Sequence, residues 1–129
     1  MKYRYTHKDA RKFHKYGVDL TVYGEAVASC NPVLVEVKVG HLEEFYDQKS
    51  TYMYLILEGE GTFMLNDEPV RASPKDLIVI PPKTRIYYFG TMKMVLCVTP
   101  AFDEKNERHV RMVDASESPY VAERTQHGS

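Results

Sequence analysis

Short apolar runs, each closed by turn residues about every ten positions, constrain this chain most. The clearest run is VLVEVKV, residues 33–39. Val33, Val35, Val37 and Val39 fall on one face, and Leu34, Glu36 and Lys38 on the other. A period of two with β-branched side chains suits a pleated, half-buried strand. VDLTVY (18–23) alternates in the same way. TYMYLIL (51–57) is too short and too aromatic for a helix and predicts a buried strand. Gly59 and Gly61 punctuate it, and a further strand resumes at Thr62–Leu65. Asn66-Asp67-Glu68 supplies hairpin chemistry, and the chain returns at Val70–Ala72. Leu77–Ile80 must stop at Pro81-Pro82, because two missing amide donors cannot sit inside a ladder. Two more strands are expected around Gly90, at Arg85–Phe89 and Met92–Thr99.

Other segments read less regularly. DARKFHKY (9–16) predicts a short helical turn, and the segment after Gly40 an acidic, solvated loop. HVRMV (109–113) predicts an edge strand, and the chain from Ser116 onward a mobile tail. Many short strands with almost no helix argue for an all-β sandwich or closed barrel. At 129 residues the chain suits one domain. Residues 1–32 would form an N-terminal arm and first strands, 33–105 the barrel core, and 106–129 an edge strand and tail.

Composition excludes several classes. No apolar run approaches the ~18 residues that span a bilayer, and the N-terminus lacks a signal peptide's apolar centre. The expectation is a cytoplasmic protein with no membrane partner. A net charge of −1 gives no global attraction to nucleic acid. Lys2, Arg4, Lys8, Arg11, Lys12 and Lys15 make a basic arm without a nucleic-acid motif, which reads as a solvated edge. Cys30 and Cys97 are the only cysteines, so neither a disulfide scaffold nor a C-x-x-C site is expected.

The runs GHLEEFYDQKSTYMYLILEGEG (40–61) and DLIVIPP (76–82) together resemble the paired motifs of the cupin superfamily, small jelly-roll β-barrels. The first motif, G-x5-H-x-H-x3-E-x6-G, fits without a gap from Gly40 to Gly59. Its three metal-ligand positions fall on Tyr46, Gln48 and Tyr52. The second, G-x5-P-x-G-x2-H-x3-N, starts at Lys75 and matches Pro81, with Ile86 at its histidine position. VTPAFDEKNE (98–107) is similar to the segment that leaves many small cupin barrels. The resemblance covers residues 33–105 and implies a jelly-roll barrel and a homodimer. It implies no metal, because a neutral amide, two phenols and an alkyl group replace the usual ligands. Phenols ionise only near ~10, and divalent metals want deprotonated or basic donors. A displaced metal site on His41, Glu43, Glu44 or Asp47 is the alternative.

Parity then predicts the interior. With Tyr52 inward, Tyr54 and Ile56 follow, and with Ile86 inward, Tyr88 follows. Tyr46, Gln48, Tyr52, Tyr54, Ile86 and Tyr88 are the expected ligand-binding residues, with Arg85 at the mouth for an anionic group. Such a lining suits a small organic ligand, or it fills the barrel outright. Each buried tyrosine hydroxyl needs a partner, which favours a cavity over a filled core. The function expected is a metal-free barrel binding a small organic molecule, without a cofactor. The alternative is a metal-independent enzyme of the sugar isomerase or epimerase type, using tyrosine acid–base chemistry.

Overall fold

The computed structural model describes residues 2–24 and 26–120. Its strands are β1 (Arg11–Lys15), β2 (Val18–Val22), β3 (Asn31–Val37), β4 (Gly40–Asp47), β5 (Thr51–Leu65), β6 (Glu68–Ala72), β7 (Leu77–Ile80), β8 (Ile86–Thr99) and β9 (Glu107–Met112). Short 3-10 turns lie at His7–Asp9, Glu104–Asn106 and Ala115–Glu117. Every pairing is antiparallel, as expected of an all-β jelly-roll barrel.

β8 is the spine. β5 follows one of its edges along the whole length, while β3 and β4 share the other. β2 and then β1 continue beyond β3, and β9 continues beyond β4. β7 and β6 divide the outer edge of β5. Both long strands turn a corner at the same level. β5 shifts register between Ile56 and Glu58, and Gly59 and Gly90 have φ of 82° and 136°. A Cβ on Gly59 would strike the Thr91 carbonyl, and one on Gly90 the Glu60 carbonyl. Only glycine allows this combination of dihedral and close approach. The expected breaks near Gly61 and Gly90 are therefore bends within continuous strands, and the sheet curls there.

The enclosed face is apolar. Val33, Val35 and Val37 of β3 meet Tyr52, Tyr54 and Ile56 of β5 and Tyr88, Met94 and Leu96 of β8 in one cluster. Each such side chain contributes about 1.5–3 kcal/mol on burial. A second cluster lies outside the wall, where Val113 and Tyr120 of the C-terminal segment cover Tyr87 and Phe89.

Three expectations need correction. Residues 11–15 are strand β1 rather than a helical turn, because Tyr16 and Gly17, at φ 50° and 90°, make the left-handed turn that joins β1 to β2. The segment after Gly40 is not a solvated loop. It is β4, held between β8 and β9, and His41, Glu43, Glu44 and Asp47 are all buried. Ser116 sits in a 3-10 turn and Ser118 is buried, so the expected mobile tail does not begin at Ser116. The rest of that expectation concerns residues 121–129, outside the described residues. The edge strand expected at 109–113 is present as β9.

Candidate functional site

The barrel encloses a cavity of about 580 Å³. Its floor is apolar, from Val33, Val35, Leu96 and Val98. Tyr52, Tyr54 and Tyr88 supply phenols, and β4 supplies His41, Glu43 and Phe45. Arg11, Phe13 and Lys15, alternate residues of β1, line it from one side. Phe102, Glu104 and Glu107, between β8 and β9, also line it. The volume lies within the ~300–1,000 Å³ usual for small-molecule sites.

His41 is the most informative group. Its side chain is 5% exposed and packs against Phe45, Tyr88 and Tyr16, with ring centroids 5.0, 5.5 and 5.9 Å away. Nδ1 lies 2.8 Å from the Glu43 carbonyl oxygen. A carbonyl only accepts, so Nδ1 carries the hydrogen and donates. In the neutral ring the lone pair is then on Nε2. Burial pushes the imidazole down from its ordinary 6.5 to about 4, so at neutral pH it is an uncharged proton acceptor. Tyr54 and Tyr88 stand edge to face at 5.7 Å. Burial raises the pKa of both, and that of Tyr52, well above the ordinary phenol value. These hydroxyls stay protonated and act as donors. An acceptor and donors thus border one cavity, which is the arrangement that general acid–base chemistry requires.

Carboxylates support this set. Glu43 is 4% exposed, and its Oε2 accepts from Nδ1 of His109 at 2.9 Å. It also raises the pKa of the neighbouring Tyr16 phenol, first through its negative charge. Burial raises the pKa of Glu107, and Lys15 opposes that shift. Asp47 serves the turn instead, accepting from the amides of Lys49 and Ser50 at 2.9 and 2.8 Å and from the Tyr52 hydroxyl at 3.4 Å.

The structure brings Tyr52, Tyr54 and Tyr88 together on the cavity wall and does not bring the other four expected residues there. Tyr46 and Gln48 point away, because the inward residues of β4 are the odd ones, His41, Glu43 and Phe45. A one-residue slip of register exchanges the two faces of a strand, and the motif overlay is slipped in that way. Tyr46 pairs in register with Arg108. The Gln48 amide oxygen, oriented to satisfy both groups, accepts from Arg108 Nη2 and Nε at 3.0 Å. Ile86 is 2% exposed and packs in the core. Arg85 is a brace outside the cavity, donating to Glu44 at 3.0 Å and to Asp67 at 3.1 and 2.7 Å. His41, Glu43, Phe45 and Glu107 are cavity residues that sequence reasoning missed. The alternation His41-x-Glu43-x-Phe45 was the available signal, once that segment is read as a strand.

Among the described residues, no group of three or more His, Cys, Asp or Glu side chains is arranged to hold a metal ion. The displaced site on His41, Glu43, Glu44 and Asp47 does not form. Glu44 faces Arg85 and Arg111, at 3.0 and 3.1 Å, and Asp47 is taken up by its turn.

No protein-family model matches the chain, and no curated protein does. Solved structures do. The chain is 52% identical to Pac13, described as a unique nucleoside dehydratase, over 93% of this chain and 100% of that one, with a TM-score of 0.89. Structures of Streptomyces Pac13 with uridine, in variants with one tyrosine changed to phenylalanine or a histidine to glutamine, match at 51% identity with the same TM-score. KdgF from Halomonas and oxalate decarboxylase from Bacillus subtilis share the fold at 14% and 12% identity, with TM-scores of 0.68 and 0.70. The match covers 81% of this chain and 99% of KdgF, and 82% of this chain and 31% of the decarboxylase. With half its residues shared with Pac13 across that protein's full length, this chain belongs to the Pac13 family of the cupin superfamily.

Proposed function

We propose that this chain is a nucleoside dehydratase that binds a uridine-type nucleoside in the tyrosine-lined cavity. One observation carries the reading. The histidine and the two tyrosines substituted in the uridine-bound Pac13 variants are spaced 13 and 34 residues apart. His41, Tyr54 and Tyr88 have the same spacing, and here they border one cavity.

The roles follow from protonation. His41 Nε2 takes a proton from a carbon of the ligand, the C–O bond on the next carbon breaks, and a phenol gives the departing hydroxyl a proton so that it leaves as water. Tyr88, stacked near His41 and Tyr54, is the proposed donor. Tyr54 holds the ligand or re-protonates Tyr88. Lys15 and Glu107 are available for the ligand's polar groups. The same acceptor and donors would serve a sugar isomerase or epimerase, and the likeness to a nucleoside dehydratase supports the dehydratase reading over that one.

Calorimetric titration with uridine tests the binding half of the reading. Saturable binding that weakens in Tyr54→Phe is expected. No heat at millimolar uridine would overturn it.

A further inference from the structure

The two cysteines take no part in the cavity chemistry, yet the fold brings them to one seam. Cys97 lies near the end of β8, opposite Pro32 of β3 and Met53 of β5. Its neighbours Leu96 and Val98 line the cavity, so alternation turns Cys97 to the outer face. Cys30 immediately precedes β3, two positions from Pro32. A period of two returns it to the face that Cys97 occupies. Both thiols are free and half-buried, and neither belongs to a buried apolar cluster.

Hydrogen bonds close the same seam on either side of Cys30. The Thr99 hydroxyl donates to the Ser29 carbonyl at 3.4 Å, and the Phe102 amide donates to Oδ1 of Asn31. Residues 29–31 are thus laid along residues 97–102. The thiols are also near enough to act on each other. Burial raises the pKa of the Cys97 thiol, and the neighbouring Cys30 thiol raises it further.

We infer that Cys30 and Cys97 are a redox pair that closes to a disulfide under a small-molecule disulfide such as oxidised glutathione, tying the loop between β2 and β3 to the end of β8. The step is thiol–disulfide exchange. One protein thiolate attacks a sulfur of the oxidant, breaks its S–S bond and expels a glutathione thiolate. The second protein thiolate then attacks the protein sulfur of that mixed disulfide and expels the other glutathione. One S–S bond breaks and one forms, and the two thiol protons end on the two departing thiolates. Dithiols reverse the bond in the same way, as suits a switch rather than a permanent staple.

The seam is also a wall of the cavity. Gly24 and Asn31 line it from the loop side, and Val98 and Phe102 from the other. Residues 27–29 of the loop are exposed, and exposed loops with few buried contacts open most readily. A covalent tie between positions 30 and 97 therefore holds that part of the wall shut. It also closes a loop of about 70 residues, which restricts the unfolded chain strongly.

Incubation of the full chain with oxidised glutathione, followed by intact mass spectrometry and thiol titration, tests this. Expected are the loss of two hydrogen atoms, no titratable thiol, and one peptide pair joined through Cys30 and Cys97 in a non-reducing digest. Dithiothreitol should restore the starting mass. In the oxidised protein the amides of residues 26–30 should exchange hydrogen at least tenfold more slowly, and the melting temperature should rise by about 10 °C. Cys30→Ser should keep the circular dichroism of the reduced wild type and show neither change. A glutathione adduct that persists on either cysteine, a bond between two chains, or two free thiols at saturating oxidant overturns the inference. A disulfide that leaves both exchange and melting temperature unchanged overturns the tie between loop and strand.

Discussion

Acidification should destabilise this protein through His41, and the size of the loss follows from its burial. The imidazole is held near 4 in the folded chain, against about 6.5 when unfolded. The unfolded state therefore binds more protons between these values, and stability rises with pH across that window. A difference of about 2.5 units at ~1.4 kcal/mol each gives about 3 kcal/mol, fully present above pH 6.5 and lost by pH 4. Other groups titrate in the same range. The raised pKa of Glu107 works in the opposite direction, and Asp9, Asp67, Asp114 and Glu117 are depressed and lose their contributions at lower pH. The comparison with His41→Gln removes these shared terms. Glutamine can still donate to the Glu43 carbonyl, but it does not titrate. Urea unfolding at pH 7, 6, 5 and 4 should show the wild type losing about 3 kcal/mol more than the variant, with equal m-values. In thermal melts this amounts to a relative Tm loss on the order of 10 °C. Parallel stability curves for the two proteins would refute a buried, neutral His41.

Further predictions concern chemistry and the acidic strand. Tyr88→Phe keeps the ring against His41 and Phe63 but removes the proposed acid, so turnover should fall by about 10²–10⁴, while uridine affinity in calorimetry changes far less. Equal turnover in Tyr88→Phe would remove that role. Glu44→Gln leaves Arg85 and Arg111 without their buried carboxylate. Both guanidiniums reach solvent, so the cost is expected below the 3–5 kcal/mol of a fully buried pair, at about 2 kcal/mol. Chemical denaturation checks this, and a change under about 0.5 kcal/mol would mean that the pair contributes no more than an exposed one.

Much of the fold was legible because it rests on local signals. The alternation of Val33–Val39 and the stop at Pro81-Pro82 mark β3 and β7 unambiguously. Gly59 and Gly90 were visible too, but whether a glycine ends a strand or bends it depends on the partner strand, which sequence alone does not supply. The same limit hid the site. The stretch around Glu43 and Glu44 looks solvated and acidic until Arg85, His109 and Arg111, 41 to 67 residues away, are seen to hydrogen-bond the two carboxylates. Tyr52, Tyr54 and Tyr88 were legible because parity runs unbroken along β5 and β8 at those positions. Tyr46 and Gln48 were misplaced because a motif frame counts residues without testing which parity faces inward. The segment 11–15 was misread because a strand at the sheet edge, exposed at every position, carries no alternation to detect.

A crystal structure of the protein with uridine goes straight to the proposed site. Expected is the nucleoside inside the barrel, with its sugar within hydrogen-bond distance of His41 Nε2 and of the Tyr54 or Tyr88 hydroxyl. Uridine bound elsewhere on the molecule, or a cavity that stays without it at saturating concentration, would contradict the assignment.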